Sequence, residues 1–382
     1  MRPPIGLIVV LAFLIFYGII VAPLPGLWKF GLALLEMFIV GQLLISHYQL
    51  SGENGLILLR SQKGISLIHT IAKNSEGWKF FSDVGVVVCY GLLSIVLMRR
   101  HLSWKSFLVG FALLATLFFF VTPSAVYFLT SILPVSIMER STPQFSELSS
   151  LFSISILALL AGGFFLLLLL SLLGWGVVVL SALLSTLLEG TTAISQTAPG
   201  GTFLLPGINL PFLEGILALL IILVVHEGAH AVLARIARIP ILSSGLVLFG
   251  VIPIGAFVEP DEEKLRKLEQ TPQTRVLVAG STANLLTSIL FFLIFVAFAF
   301  VVQILDLRDI SLLVPFLQSI FLVLGLTFAL NFVVGTVNLL PLPFFDGYRT
   351  LEVNIPHKRL LHFVAALTLV AFLLNFVPWL FL

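Results

Sequence analysis

His226, Glu227 and His230 stand as H-E-x-x-H inside an otherwise apolar run, IILVVHEGAHAVLAR, from Ile221 to Arg235. On a helix, positions four apart lie one above the other, so two imidazoles on one face can hold one metal ion. The glutamate beside the first histidine then sits where metal-assisted peptide hydrolysis needs a general base. Ionisable side chains inside an apolar span cost about 2.5–3.5 kcal/mol each on insertion scales. A cluster this dense in such a run therefore predicts function, against the plainer reading of a histidine pair hydrogen-bonded between helices.

The elements that must carry this group follow from composition. With 59% hydrophobic and 10% charged residues, the chain cannot be a soluble globule. It is predicted to be an all-α polytopic membrane protein, with about eight to ten transmembrane helices and short membrane-associated β-hairpin elements. The net charge of +2 is too small to imply nucleic acid, and Cys89, the one cysteine, excludes an internal disulfide and a thiolate zinc site. The amino terminus has the basic start and apolar middle of a secretion signal. Its apolar region is too long, however, and Pro23 follows Ala22 where cleavage would fall, so a retained transmembrane helix is expected.

Apolar runs long enough to span occur at Ile5 to Val21, Phe30 to Ile45 (interrupted by Glu36), Asp83 to Met98 and Phe107 to Leu133. Between the second and third, Gly55 and Gly64 break GLILLRSQKGISLIHTIAK into what reads as a small hairpin leading to an amphipathic helix. Leu151 to Leu188 would make one helix of about 57 Å, so a helical hairpin turning at Gly174-Trp175-Gly176 is expected. Gly190 to Pro211 reads as a loop without Lys or Arg, folded onto the membrane edge. These readings divide the chain into an amino-terminal transmembrane bundle, 1–190, and a catalytic transmembrane core, 191–382.

Charge orients the second half. Arg235, Arg238, Lys264, Arg266, Lys267, Arg275, Arg349, Lys358 and Arg359 fall on one side of its spans and only Arg308 on the other, so the former side is cytoplasmic. His226 lies about 13 Å inside that end of its helix. A catalytic zinc has three protein ligands and an open position. At the cytoplasmic end of the returning span, NLLPLPFFDG offers Asp346 at a depth that Pro341 and Pro343 make reachable. Glu259, Glu262 and Glu263 are rivals for the third ligand, although EPDEEKLRKLEQ reads more simply as a solvated face.

HEGAH on an apolar helix, then Gly280 and Asn284 in GSTANLL, then N-x-x-P-x-x-x-x-D-G from Asn338, together resemble the site-two protease family of intramembrane zinc metalloproteases. GVIPIGAFVEP is similar to that family's Gly-Ala-Phe-Val segment, and the resemblance runs from Pro199 to about Tyr348. It implies Zn2+ bound by His226, His230 and Asp346, Glu227 as base, and Asn284 and Asn338 as polar helpers at the substrate or oxyanion. The connections Pro240 to Arg275 and Gln303 to Ser311 are too short for the PDZ domain of many relatives, so no PDZ-mediated partner is expected, and the region around Gly64 resembles that of archaeal members.

The implied activity is cleavage of transmembrane protein substrates within the lipid bilayer of the cell membrane, at a site nearer the cytoplasmic side. A substrate helix must unwind to expose a carbonyl, and the β-prone stretch Ile241 to Glu259 offers a hairpin edge to pair with the unwound strand. The alternative is a transporter or channel moving metal ions or protons through the same cluster. Against it, the polar groups share one depth and the first half does not repeat the second.

Overall fold

The computed structural model describes residues 4–381 apart from 25, 62, 99, 100, 133–144, 203, 205 and 208. The expected end of the fourth run, Leu133, lies outside the described residues. In chain order the first half comprises α1 (Ile5–Val21), α2 (Gly26–Tyr48), β1 (Gly52–Glu53), β2 (Leu56–Arg60), α3 (Lys63–Ile71), α4 (Ser75–Tyr90), α5 (Leu93–Met98), α6 (Trp104–Thr116), α7 (Thr122–Ile132), α8 (Phe145–Glu189) and α9 (Ala193–Gln196). The second comprises α10 (Phe212–Ile236), β3 (Ile241–Phe249), β4 (Ile252–Pro260), α11 (Glu262–Arg266), α12 (Gln270–Ile304), α13 (Val314–Val337), α14 (Asp346–Asn354) and α15 (Lys358–Leu374). Among the described residues, 7 helices are long and apolar enough to cross a membrane, and α1 is a shorter apolar helix. The chain is a helical multi-pass membrane protein with one small antiparallel sheet. Helices dominate because lipid offers the backbone no hydrogen-bond partners.

The expected hairpin after Gly55 and the one at Ile241–Phe249 and Ile252–Pro260 both form, and they join. The sheet order is β1-β2-β3-β4, with Leu56 opposite Phe249 and Arg60 opposite Gly245. Gly245 permits this pairing, since a Cβ there would lie 2.0 Å from the Leu59 carbonyl oxygen. Helix α2 lies on the turns of this sheet through another close approach, a Cβ at Gly41 falling 2.0 Å from the Gly55 carbonyl oxygen. Glu36, on the same helix, is buried.

Two apolar runs depart from their expected form for one shared reason. Asp83 to Met98 is not a single membrane-crossing rod but two short helices, α4 and α5, broken at Gly91. Leu151 to Leu188 does not turn at Gly174-Trp175-Gly176, and its break lies at Gly162 and Gly163. The two breaks touch. Gly91 (φ 53°) and Gly163 (φ 59°) both have positive φ, a Cβ on Gly91 would sit 2.6 Å from Gly163 N, and Leu92 N–H donates to the Leu160 carbonyl at 2.9 Å. Each glycine leaves room for the other backbone, and the crossing takes up a carbonyl that the broken helix would leave orphaned. Gly174 faces open space, and Gly176 only brings α8 against Ala371 of α15. The loop after α8 folds onto the ends of those two helices, where Trp175 Nε1 donates to the Ala198 carbonyl (3.1 Å) and Trp379 Nε1 to that of Gly201 (2.8 Å).

The consequence is that the second half of α4, from Ser82 to Tyr90, lies inside the protein. Val86, Val87, Val88, Cys89 and Tyr90 are fully buried, and the main core gathers all of these but Val87 with Val278 and Leu285 of α12, Phe328 of α13 and Phe164 of α8. Gly163→Ala should destabilise the fold by about 1–3 kcal/mol, because it forces a side chain into a glycine-only conformation. Gly174→Ala should be neutral or mildly stabilising, since alanine is the better helix former. Thermal unfolding of the two variants in detergent measures the difference.

Candidate metal centre

The three donors sit on two elements that a third draws together. Helix α10 carries His226 and His230 one turn apart, and Asp346 opens α14 just after the proline-broken end of α13. Asp346 Oδ2 lies 3.1 Å from Nε2 of each histidine, and the two Nε2 atoms are 3.2 Å apart. A tetrahedral site with donors about 2.0–2.2 Å from a zinc ion spaces those donors by about 3.3–3.5 Å. Two imidazole nitrogens and a carboxylate oxygen converging at these distances are spaced as the donors of one metal ion would be, so the donor set fits a metal. The group is enclosed, with side-chain exposures of 9%, 16% and 19% for His226, His230 and Asp346.

Helix α12 supplies the back of the site. The Val276 carbonyl can only accept, so its 2.7 Å contact fixes the proton of His230 on Nδ1 and leaves the Nε2 lone pair for a metal. The fully buried Asn284 side-chain amide lies against His226, its Nδ2 3.0 Å from the ring Nδ1, and holds that ring in place; turned so that its oxygen faces Nδ1, the same amide accepts the ring proton and leaves Nε2 for a metal. Between these two positions is Gly280. A Cβ there would stand 2.4 Å from Nε2 of both histidines, so only glycine lets α12 pass so close behind the donors.

Asp346 is held from the other side. Gly347 N–H donates to the Asn338 carbonyl at 2.8 Å, and a Cβ on Gly347 would lie 2.0 Å from the Leu339 carbonyl oxygen. Asn338 thus enters the site through its backbone, as the cap that closes α13 and brings the start of α14 against it. The rival carboxylates are engaged elsewhere. Glu259 accepts from Ser243 (2.6 Å) and faces Arg60 (3.8 Å), Glu262 pairs with Arg349 (2.6 Å), and Glu263 pairs with Lys267. Glu227 is half-buried on the flank of α10, where it lines a cavity of about 540 Å³ shared with the sheet.

Residues 214–377 match the family model described as Peptidase family M50. This segment, somewhat under half of the chain, is thus similar to peptidase family M50, the site-2 protease family. The M50 segment contains all three donors, Glu227, Asn284 and Asn338. Over 100 residues the chain is also 37% identical to an uncharacterized protein of Methanocaldococcus jannaschii, covering 26% of this chain and 27% of that one. The match thus spans about a quarter of the length of this curated relative. No solved structure matches the chain.

One contributor lies outside the M50 segment and escaped sequence reading. Asp83 of α4 takes a bidentate pair from Arg275, Nε at 2.7 Å and Nη2 at 2.9 Å, while Ser82 Oγ donates to the Arg275 carbonyl at 3.2 Å. Arg275 immediately precedes Val276, so α4 grips α12 beside the carbonyl that orients His230. Each charge was visible in the sequence, but at 192 positions apart nothing marked them as partners.

Gly280→Ala should weaken metal binding by about 10–100-fold, the usual effect of disturbing a ligand's support. Because alanine favours helix by about 1 kcal/mol, the loss should appear with helicity unchanged, read as metal content against graded chelator. Asp83→Asn strands the Arg275 guanidinium and should cost about 3–5 kcal/mol in detergent unfolding, partly recovered by Asp83→Glu.

Proposed function

We propose that the protein is an intramembrane zinc metalloendopeptidase that cleaves transmembrane segments of membrane proteins. The observation that carries this reading is the convergence of His226, His230 and Asp346 beside a cavity that Glu227 lines. The match to family M50 over 214–377 supports a peptidase, and the donor set suits zinc. His226, His230 and Asp346 would hold the ion, which when bound supplies Lewis acidity to the scissile carbonyl and lowers the pKa of water.

The protein's own groups do the rest. Glu227 accepts a proton from the attacking water and returns it to the leaving amine nitrogen, so the peptide gains one water across the broken C–N bond. Asn284 keeps the His226 ring in place, and either it or Asn338 lends polarity toward the developing oxyanion. Strand β4 ends the sheet beside α10, and an unwound substrate segment can add to that edge by backbone hydrogen bonds that the bilayer does not offer. The charge asymmetry of the second half puts the site nearer the cytoplasmic face of the cell membrane. In this division of labour residues 191–382 form the catalytic core and residues 1–190 a transmembrane bundle that braces it.

Glu227→Gln should keep its zinc yet lose about a hundredfold to ten-thousandfold in cleavage of a single-span reporter, the range expected for removing a general base. Chelation should abolish cleavage by the unaltered protein and added zinc restore it. Equal turnover by the zinc-loaded variant would remove Glu227 from the reaction.

A further inference from the structure

The cavity beside Glu227 is walled from both halves of the chain. His226 and His230 face Gly280, whereas Glu227 and Gly228, the next residues round the helix, face the cavity. Opposite them stand Leu67 and Ile71 of α3, and Trp78 and Phe81 of α4 in an edge-on pair with centroids 5.1 Å apart. Helix α3 is tied down at both ends: Arg235 Nε donates to His69 Nδ1 (2.9 Å), and Ser244 Oγ donates to the Ser61 carbonyl (3.0 Å).

We propose that this cavity is the pocket for substrate side chains flanking the cut, and that its amino-terminal wall selects bulky apolar residues there. The inference rests on the proteolytic reading and deepens it. At about 540 Å³ the cavity is of ligand-binding size and holds a short stretch of peptide. Among the described residues of its lining, Glu227 carries the one charged side chain, and the other side-chain polar groups are the hydroxyls of Ser61, Ser244 and Thr287 and the indole N–H of Trp78. A charged or amide side chain would lose its water for few partners, whereas leucine or phenylalanine would gain apolar contact.

The end nearest Glu227 is open because residue 228 is glycine. A Cβ there meets nothing within 4 Å, so a larger residue would stand in the pocket. Another part of the wall is made by Trp78 and Phe81, which lie outside the matched segment, so the selection belongs to this chain's own amino-terminal half.

The test uses the full-length, zinc-loaded protein in detergent and a single-span reporter whose glycine-containing segment carries Ala, Leu, Phe or Lys beside the mapped cut. Leu and Phe should be preferred to Ala by about tenfold or more, as expected for apolar discrimination, with Lys worst. Gly228→Val, with zinc content checked, should move the preference toward Ala. Trp78→Ala, which deepens the opposite end, should move it toward Phe. Cleavage with the same profile in both variants overturns the pocket and leaves the peptidase reading standing.

A second readout does not require turnover. A reporter carrying a photoreactive phenylalanine at the same position is irradiated with the Glu227→Gln protein, and the adduct should map to α3 or to Trp78 and Phe81. Adducts there without cleavage by the unaltered protein would keep the pocket and remove the hydrolase, whereas adducts only elsewhere overturn the pocket.

Discussion

Three polar donor atoms within about hydrogen-bond distance of one another, inside a bundle that faces lipid, must share a proton or a cation, because the surroundings offer them no other partner. Much of the second half of the chain serves this constraint. Helix α10 brings two imidazoles, the proline-broken end of α13 turns α14 so that Asp346 points back toward them, and α12 passes behind with a carbonyl and an amide. Remove any of these supports and the donors would spread, since nothing in hydrocarbon would replace the lost contacts.

Close backbone approach is what makes the supports possible. In a membrane, association between helices draws little from the hydrophobic effect and much from van der Waals contact, so the tightest places are those without side chains. Gly280 lets α12 reach the imidazoles, Gly347 lets α14 close on Leu339, and Gly91 and Gly163 let two broken helices cross. At each of these positions a methyl group would collide with backbone or with a ligand ring. The glycines thus fix distances at the site and in the core by the same means.

The amino-terminal half is structurally part of the site. Its α4 is buried against α12 and clasps Arg275 beside the Val276 carbonyl, while its β2 fills the sheet edge that β3 would otherwise expose. Strand β4 is then the edge strand on the α10 side of the sheet, and its Ala256, Phe257 and Val258 share a cavity with Glu227.

The sequence by itself determined the membrane class, the two hairpin elements, the helix bearing H-E-x-x-H and the candidacy of Asp346. These depend on local composition and on helix periodicity, which short windows of sequence record. Gly280 and Asn284 were legible through the resemblance their motif carries, but not the contacts they make. Tertiary structure decided which glycine pair breaks α8, that Asp83 to Met98 folds inside the bundle, that Glu259, Glu262 and Glu263 are spent on other partners, and that Asp83 meets Arg275. In each case the outcome depends on what another segment, far along the chain, places opposite the residue. A glycine is a break only where a second backbone needs its space, and a carboxylate is a ligand only where no cation or hydroxyl has already claimed it.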